Sequence, residues 1–329
     1  MTTGVITGGM VLGADADEPV PGRLSFVDGC ISDDGSGDTI VDATGAWVLP
    51  GIVDVHGDAF ERSLMPRAGV GFDVDLALSD NDASLLSAGI TTSFLSVTDS
   101  WEPGLRSRAM LRSLITGLER RATTKPDVLL HVRHERCNTD DNDELERWIA
   151  DGTIRLLSYN DHTPDRGDQP APFSTTQVQR SGLDRASLER LLDIAAARRD
   201  LGRVQEERLA VIAADAGCVT ASHDAADDAD LARDLALGVG IAEFPLHIPL
   251  AQRYRDADVA VLLGAPNLVR GGSHTGNLFV GDAIDHGIAD VLCSDYHYPS
   301  LLQAPFVMAA EHAHSFGQAW ATVAANAAR

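Results

Sequence analysis

Apolar and polar positions follow two rhythms along this chain, and the change falls near residue 48. Residues 1–47 alternate short apolar runs with Gly/Asp turns: Val5-Ile6, Met10-Val11-Leu12, Leu24 to Val27, Cys30-Ile31 and Ile40-Val41. That is the pattern of small antiparallel strands, so residues 1–47 are expected to form a β appendage. From Val48 onward, apolar runs of strand length alternate with helical stretches, as in parallel α/β structure. The predicted strands are Val48–His56, Ile90–Thr98, Asp127–Glu135, Ile154–His162, Cys218–Asp224, Val239–Leu246, Val259–Pro266 and Asp290–Tyr296. Arg185–Asp215, rich in Ala, Leu, Arg and Glu, predicts the clearest helix; Leu145–Ala150, Asp230–Leu237 and Leu301–Ala313 predict shorter ones. Eight such strands over residues 48–329 predict a (β/α)8 TIM barrel behind the appendage. Asp161–Ser181 is loop-like and reads as a lid.

Barrel enzymes carry their chemistry at the C-terminal strand ends. The first predicted strand lies in Trp47–Asp58, W-V-L-P-G-I-V-D-V-H-G-D, where Pro50-Gly51 turns the chain and Ile52, Val53 and Val55 begin a buried run. His56 and Asp58 are two apart and share a face of an extended chain. Later strands end in His131-Val132-Arg133-His134-Glu135, Asn160-Asp161-His162, Ser222-His223-Asp224, Glu243 to His247, and Ser294-Asp295-Tyr296. One strand-end histidine is ordinarily a hydrogen-bonded structural residue. Convergence from several strands points instead to a metal site.

A second constellation follows strand seven. Gly264, Gly271, Gly272 and Gly276 let backbone approach a ligand, and successive N–H groups there can cradle an anion. Such a loop can equally serve geometry alone, but this barrel position often binds phosphate. Asn267, Arg270, Gly271, Gly272, Ser273 and His274 are therefore candidate phosphate contacts, with Arg67 and Arg133 as further ones. Arg62 carries little weight, because an arginine on an exposed loop is ordinarily just solvated.

Composition narrows the partners. The formal net charge of −23 and the single lysine, Lys125, argue against nucleic acid and leave positive contacts to arginines. No run of 18 or more apolar residues occurs, so no membrane span is expected. Met1-Thr2-Thr3-Gly4 lacks the positive region and apolar core of a leader, and the four cysteines form no C-x-x-C pair. A cytoplasmic protein with reduced thiols is expected.

These motifs resemble the amidohydrolase superfamily of metal-dependent hydrolases. In detail they resemble its α-D-ribose 1-methylphosphonate 5-triphosphate diphosphatase branch, from the C–P lyase pathway. The resemblance runs from about Ala46 to the C-terminus. It is carried by His56-Gly57-Asp58, Met65-Pro66-Arg67, Ala88-Gly89-Ile90-Thr91-Thr92, His131 to Glu135, Asp161-His162-Thr163-Pro164 and Ser222-His223-Asp224. Glu243-Phe244-Pro245, Gly264 to Asn267, Ser294-Asp295-Tyr296 and, most specifically, Arg270 to Asn277 complete it. It implies one or two divalent ions, zinc first with manganese or iron as alternatives, held by His56, Asp58, Glu135, His162, His223 and Asp295. It also implies that Asp295 is the general base. Most of the superfamily carries H-x-H on strand one and a bridging carboxylated lysine. This chain has H-x-D and no strand-end lysine, so Glu135 is the natural bridging substitute. His134 is expected to pack outward and His247 to be structural.

Two departures matter. The return strands that complete the β domain in the superfamily do not follow Thr322–Arg329, so a reduced sheet with an unpaired edge is expected, which leaves room for a homo-oligomer. The loop after His162 is also longer than in the branch. The reading is a hydrolase releasing pyrophosphate from a small phosphorylated ribose phosphonate. The alternatives are a C–N hydrolase (deaminase or cyclic amidase) on the same barrel, or a non-catalytic metal-binding subunit of a phosphonate-processing assembly.

Overall fold

Pro50-Gly51 divides the chain into two sheets in a computed structural model that describes residues 2–33, 37–121, 126–164, 175–273 and 276–329. Before it lie β1 (Thr3–Val11), β2 (Val20–Val27), β3 (Cys30–Ser32), β4 (Thr39–Asp42) and β5 (Trp47–Val48). They form one sheet in the order β3-β2-β1-β4, with β5 also on β1. Trp47-Val48 thus pairs with Met10-Val11 instead of starting the barrel. The first barrel strand begins only at Ile52, because Pro50 has no N–H for a ladder.

Eight parallel strands follow in sequential order: β6 (Ile52–Gly57), β7 (Ile90–Asp99), β8 (Asp127–Glu135), β9 (Leu156–Asn160), β10 (Val219–His223), β11 (Ile241–Glu243), β12 (Ala260–Gly264) and β13 (Val291–Cys293). Helices alternate with them, giving the (β/α)8 architecture with its small N-terminal sheet. The expected helix Arg185–Asp215 is two, Arg199–Ala216 following Arg185–Ala196. The break lets the second helix lie close on β8: Gly202 meets the Arg136 carbonyl with no room for a Cβ. Glu206 also accepts from Arg136 at 2.9 Å. Of the expected lid, Thr175–Ser181 is helical, and residues 165–174 lie outside the described residues.

Closure falls between β6 and β13. Gly57 bridges to Asp295; Asp58 N donates to the Asp295 carbonyl at 2.8 Å and Asp295 N to that of His56 at 2.9 Å. Beneath this bridge the seam is tied by side chains. Fully buried Asp54 accepts from Ser294 N at 3.0 Å and Ser294 Oγ at 2.5 Å. Lower still, Val53 N and Leu292 N donate to the carbonyls of Val323 and Thr322, so the chain's last turn fills the gap. Val55, Leu262, Val291 and Cys293, with Val53, Phe94 and Ile241 against them, pack the barrel's lower interior. The larger core lies between strands and helices.

On the outer face of β7 and β8, Asp99 accepts from Arg108 Nε and Nη2, both at 2.6 Å, and from His134 Nδ1 at 2.8 Å. His134 therefore faces the helical layer, as the strand alternation implied. Burial alone would push the Asp99 carboxyl up, but hydrogen bonds from His134 and Arg108 outweigh it and hold it low.

Two outcomes follow from this packing. A Cβ on Gly57 would meet Asp54 Oδ2 at 2.7 Å and Ser294 Oγ at 2.8 Å. Gly57→Ala should therefore lower stability by about 1–3 kcal/mol through overpacking, read as a lower urea midpoint; an unchanged midpoint would show that the seam has slack. Asp99→Asn leaves Arg108 buried without its counter-charge and should cost about 3–5 kcal/mol. Because the folded Asp99 pKa is depressed, its stabilisation is present above the ordinary carboxyl value of about 4 and is lost as pH falls through the lower folded value. Acid titration of wild type and variant should show their stabilities converging there.

Candidate metal centre

Three residues just beyond β10, β11 and β13 take left-handed backbone angles: Asp224 (φ 57°), Phe244 (φ 55°) and Asp295 (φ 52°). Aspartate tolerates this region, whereas a phenylalanine there is strained and needs its surroundings to hold it. Phe244 sets its ring edge-to-face with both His56 and His223, at centroid distances of 5.0 and 5.1 Å. The strand ends are thus bent so that their side chains meet at one mouth.

Three imidazoles meet there, and each is backed by a carboxylate. His56 Nδ1 lies 2.8 Å from Glu243 Oε1, His162 Nδ1 2.7 Å from Glu135 Oε1, and His223 Nδ1 3.0 Å from Asp224 Oδ2. A carboxylate behind one ring nitrogen fixes the tautomer and orients the other nitrogen, the usual support of a metal-bound histidine. Burial, then the charge of Arg133, pushes His56 well down and His223 down to about 4, so both are neutral and able to ligate. His162 behaves oppositely. Burial would lower it, but hydrogen bonds to Asp224 and Glu135 carry it up to about 9. Its partner Glu135 is pushed up by burial yet held at about 2 by His162. Both Glu135 oxygens serve His162, one on the ring and one on the backbone N–H at 2.9 Å.

Asp58 and Asp295 complete the cluster. Burial, then the negative charge of Asp58, pushes Asp295 up to about 7; burial and Glu61 likewise raise Asp58. With His56, His223 and Asp224 they line a cavity of about 290 Å³ at the C-terminal end of the barrel. Arg133 also lines it, with Nη2 3.1 Å from His223 Nε2 and Nη1 3.6 Å from Asp58 Oδ2.

The other sequence candidates divide. Ser273 lines the cavity; Asn267 does too, but its side chain staples the loop, donating to the Leu278 carbonyl and accepting from Val280 N, each at 3.0 Å. Arg270 is exposed, its Nη1 3.4 Å from the Tyr296 hydroxyl, and Gly271 and Gly272 form the adjoining turn outside the cavity wall. Arg67 is exposed in a turn bridged to Val70, away from the cavity. His274 lies outside the described residues. His247, exposed, precedes the helix Ile248–Asp256.

His131, Glu243 and Asp224 stood in the strand-end strings without an assigned role, and Arg106 was passed over. His131 was legible, since residues 131, 133 and 135 share one face of β8. Nothing in the sequence foretold Arg106, brought in by the 3₁₀ turn Gly104–Arg106 and fixed by Glu61 at 2.8 and 2.9 Å.

The donor set fits a divalent ion. Two groups, His56–His131–Glu243 and His162–His223–Asp224, each place ligand atoms within 4.8 Å of one another. His131 Nδ1 lies 3.2 Å from the Val55 carbonyl, and its buried Nε2 has no hydrogen-bond partner among the described residues. That nitrogen stands 3.7 Å from Glu243 Oε2, a separation that one ion could bridge. Mixed imidazole and carboxylate donors suit zinc, manganese or iron.

No protein-family model matches the chain. Among solved structures, the fold is similar to an uncharacterized metal-dependent hydrolase from Pyrococcus horikoshii, with a TM-score of 0.59, 12% identity, and 100% of this chain and 93% of the other covered. It is also similar to the β-aspartyl dipeptidase of Fervidobacterium islandicum, with a TM-score of 0.59, 11% identity, and coverage of 100% and 87%. Barrel and appendage together are the fold of these hydrolases. The alpha-D-ribose 1-methylphosphonate 5-triphosphate diphosphatase of Escherichia coli (strain K12) is 30% identical over 290 residues, which cover 84% of this chain and 75% of that protein. The chain belongs to this diphosphatase's family.

Elemental analysis of gently purified protein should find about one to two divalent ions per chain. Glu243→Gln should weaken metal affinity by roughly 10–100-fold while far-UV circular dichroism stays native, the range for losing a carboxylate behind a ligating histidine. Unchanged affinity would remove Glu243 from the centre.

Proposed function

We propose that the centre hydrolyses α-D-ribose 1-methylphosphonate 5-triphosphate, breaking the bond between the α- and β-phosphates to leave the 5-phosphate and pyrophosphate. The observation that carries this reading is the company the metal donors keep. Arg106 and Arg133 line the same cavity as His56, Asp58, His223 and Asp295. Two guanidiniums beside a cation site suit a polyanion and are superfluous for a neutral amide. The activity in the name of the E. coli relative agrees.

His56, His162 and His223, with Asp58 and Asp295, would hold the ion; zinc suits this donor set first. A bound divalent ion would make water acidic enough to attack near neutrality and take up phosphoryl charge. Asp295, a carboxylate at the end of the last barrel strand among the ion's donors, accepts the proton of the attacking water and can pass it on. Arg106 and Arg133 hold the phosphates in line. Among the described residues no helix is long and apolar enough to cross a membrane.

The test is product analysis on a panel of triphosphates and amides: pyrophosphate is expected, and ammonia release without pyrophosphate overturns the reading. Asp295→Asn should lower kcat by roughly 10²-fold or more with the fold intact. A change confined to KM would mean that Asp295 only assists binding.

A further inference from the structure

We propose that Arg133 grips the reacting phosphoryl group itself and so restricts this centre to substrates that are anionic at the atom attacked. The inference rests on the diphosphatase reading above. Arg133 occupies a junction: the cavity of about 290 Å³ and an adjoining one of about 200 Å³ share Arg106, Arg133, His223 and Asp224. Arg106 is held bidentate by Glu61 through Nε and Nη2, which fixes its place in the wall. Arg133 is only 7% exposed, yet its closest carboxylate contact is Asp58 at 3.6 Å, and its Nε has no hydrogen-bond partner among the described residues. Its firm contact is Nη2 on His223 Nε2 at 3.1 Å.

That contact carries the argument. His223 Nδ1 lies 3.0 Å from Asp224 Oδ2 without hydrogen-bond geometry, and a cation approaching the other nitrogen, Nε2, meets Arg133 there. Arg133 and a metal ion therefore compete for one lone pair. When the ion takes it, a buried guanidinium loses its acceptor and stands beside a dication, where like charges repel strongly for want of water. An anion between them relieves the repulsion. A phosphoryl group at its transition state presents three equatorial oxygens bearing negative charge, which a planar guanidinium fork can bridge. A neutral carbonyl supplies no such charge and leaves the two cations facing each other. Arg133 thus couples metal and anion: each ligand raises the affinity for the other by the same factor.

The experiment measures zinc affinity of the full chain by chelator competition, with and without inorganic phosphate, alongside pyrophosphate release. In wild type, phosphate should tighten zinc roughly tenfold, within the usual span of coupling between two ligands. Arg133→Gln should bind zinc alone roughly tenfold more tightly, lose the phosphate effect, and lower kcat more than it raises KM. Arg133→Lys guards against misfolding. It keeps the charge, so zinc alone should bind as in wild type while the phosphate effect weakens. If wild type releases pyrophosphate but Arg133→Gln retains the phosphate effect, or wild type shows none, the role of Arg133 is overturned and the diphosphatase reading stands. If wild type neither releases pyrophosphate nor couples zinc to phosphate, both fall.

Discussion

Charge that cannot be left bare is the constraint around which this protein is built. Asp58, Asp224 and Asp295 converge with His56, His162 and His223 at the barrel mouth, where His56 is buried while His162 and Asp224 reach solvent. Burial and neighbouring carboxylates raise Asp58 and Asp295, and the neutral imidazoles of His56 and His223 offer lone pairs to a cation. A fold can tolerate such a cluster only if each group is oriented by a neighbour and a cation supplies the missing charge. The carboxylates behind the three histidines do the orienting, and Arg133 leans into the cluster as the protein's own cation.

The same logic organises the periphery. Buried arginines are each answered by acids: Arg108 by Asp99, Arg121 by Asp82, and Arg136 by Glu206 and Asp161. A chain whose net charge is −23 has acids to spare for this, so a buried arginine without a close one is informative. Arg108, Arg121 and Arg136 serve the scaffold. Arg133, 3.6 Å from Asp58, belongs to the mouth.

Architecture was legible because strand-length apolar runs recur with helical spacers, and all the strands expected of the barrel are present within a few residues of their expected bounds. Boundaries erred where tertiary packing outweighed pattern: Trp47-Val48 joins the small sheet, and the long helix breaks before Arg199. Alternation and spacing were enough to expect His56, Asp58, His223 and Asp295 near one another at the strand ends, and they line one cavity; Glu135, expected to bridge metals, turns both oxygens to His162. What could not be read was partnership. That Glu135 stands behind His162, that Glu243 reaches across to His56, and that Asn267 staples a loop all depend on pairs far apart in the chain. The glycine string after strand seven misled for a related reason. Its composition permits close approach, but only the fold decides what is approached, and Gly271 and Gly272 turn away from the cavity.

The seam between β6 and β13 also has a consequence in time. Asp54 and Ser294, which lock it, are 240 positions apart. A ribosome adding roughly 5–20 residues per second needs on the order of 10–50 s to bring the second into existence after the first. Throughout that interval the nascent first strand, already bearing His56 and Asp58, has no neighbour on one edge. Contacts of such long separation form late and slowly. The half-made barrel therefore presents an open strand edge beside its metal-binding residues, making this edge the place where a chaperone, or a stray zinc ion, would meet the newborn chain first.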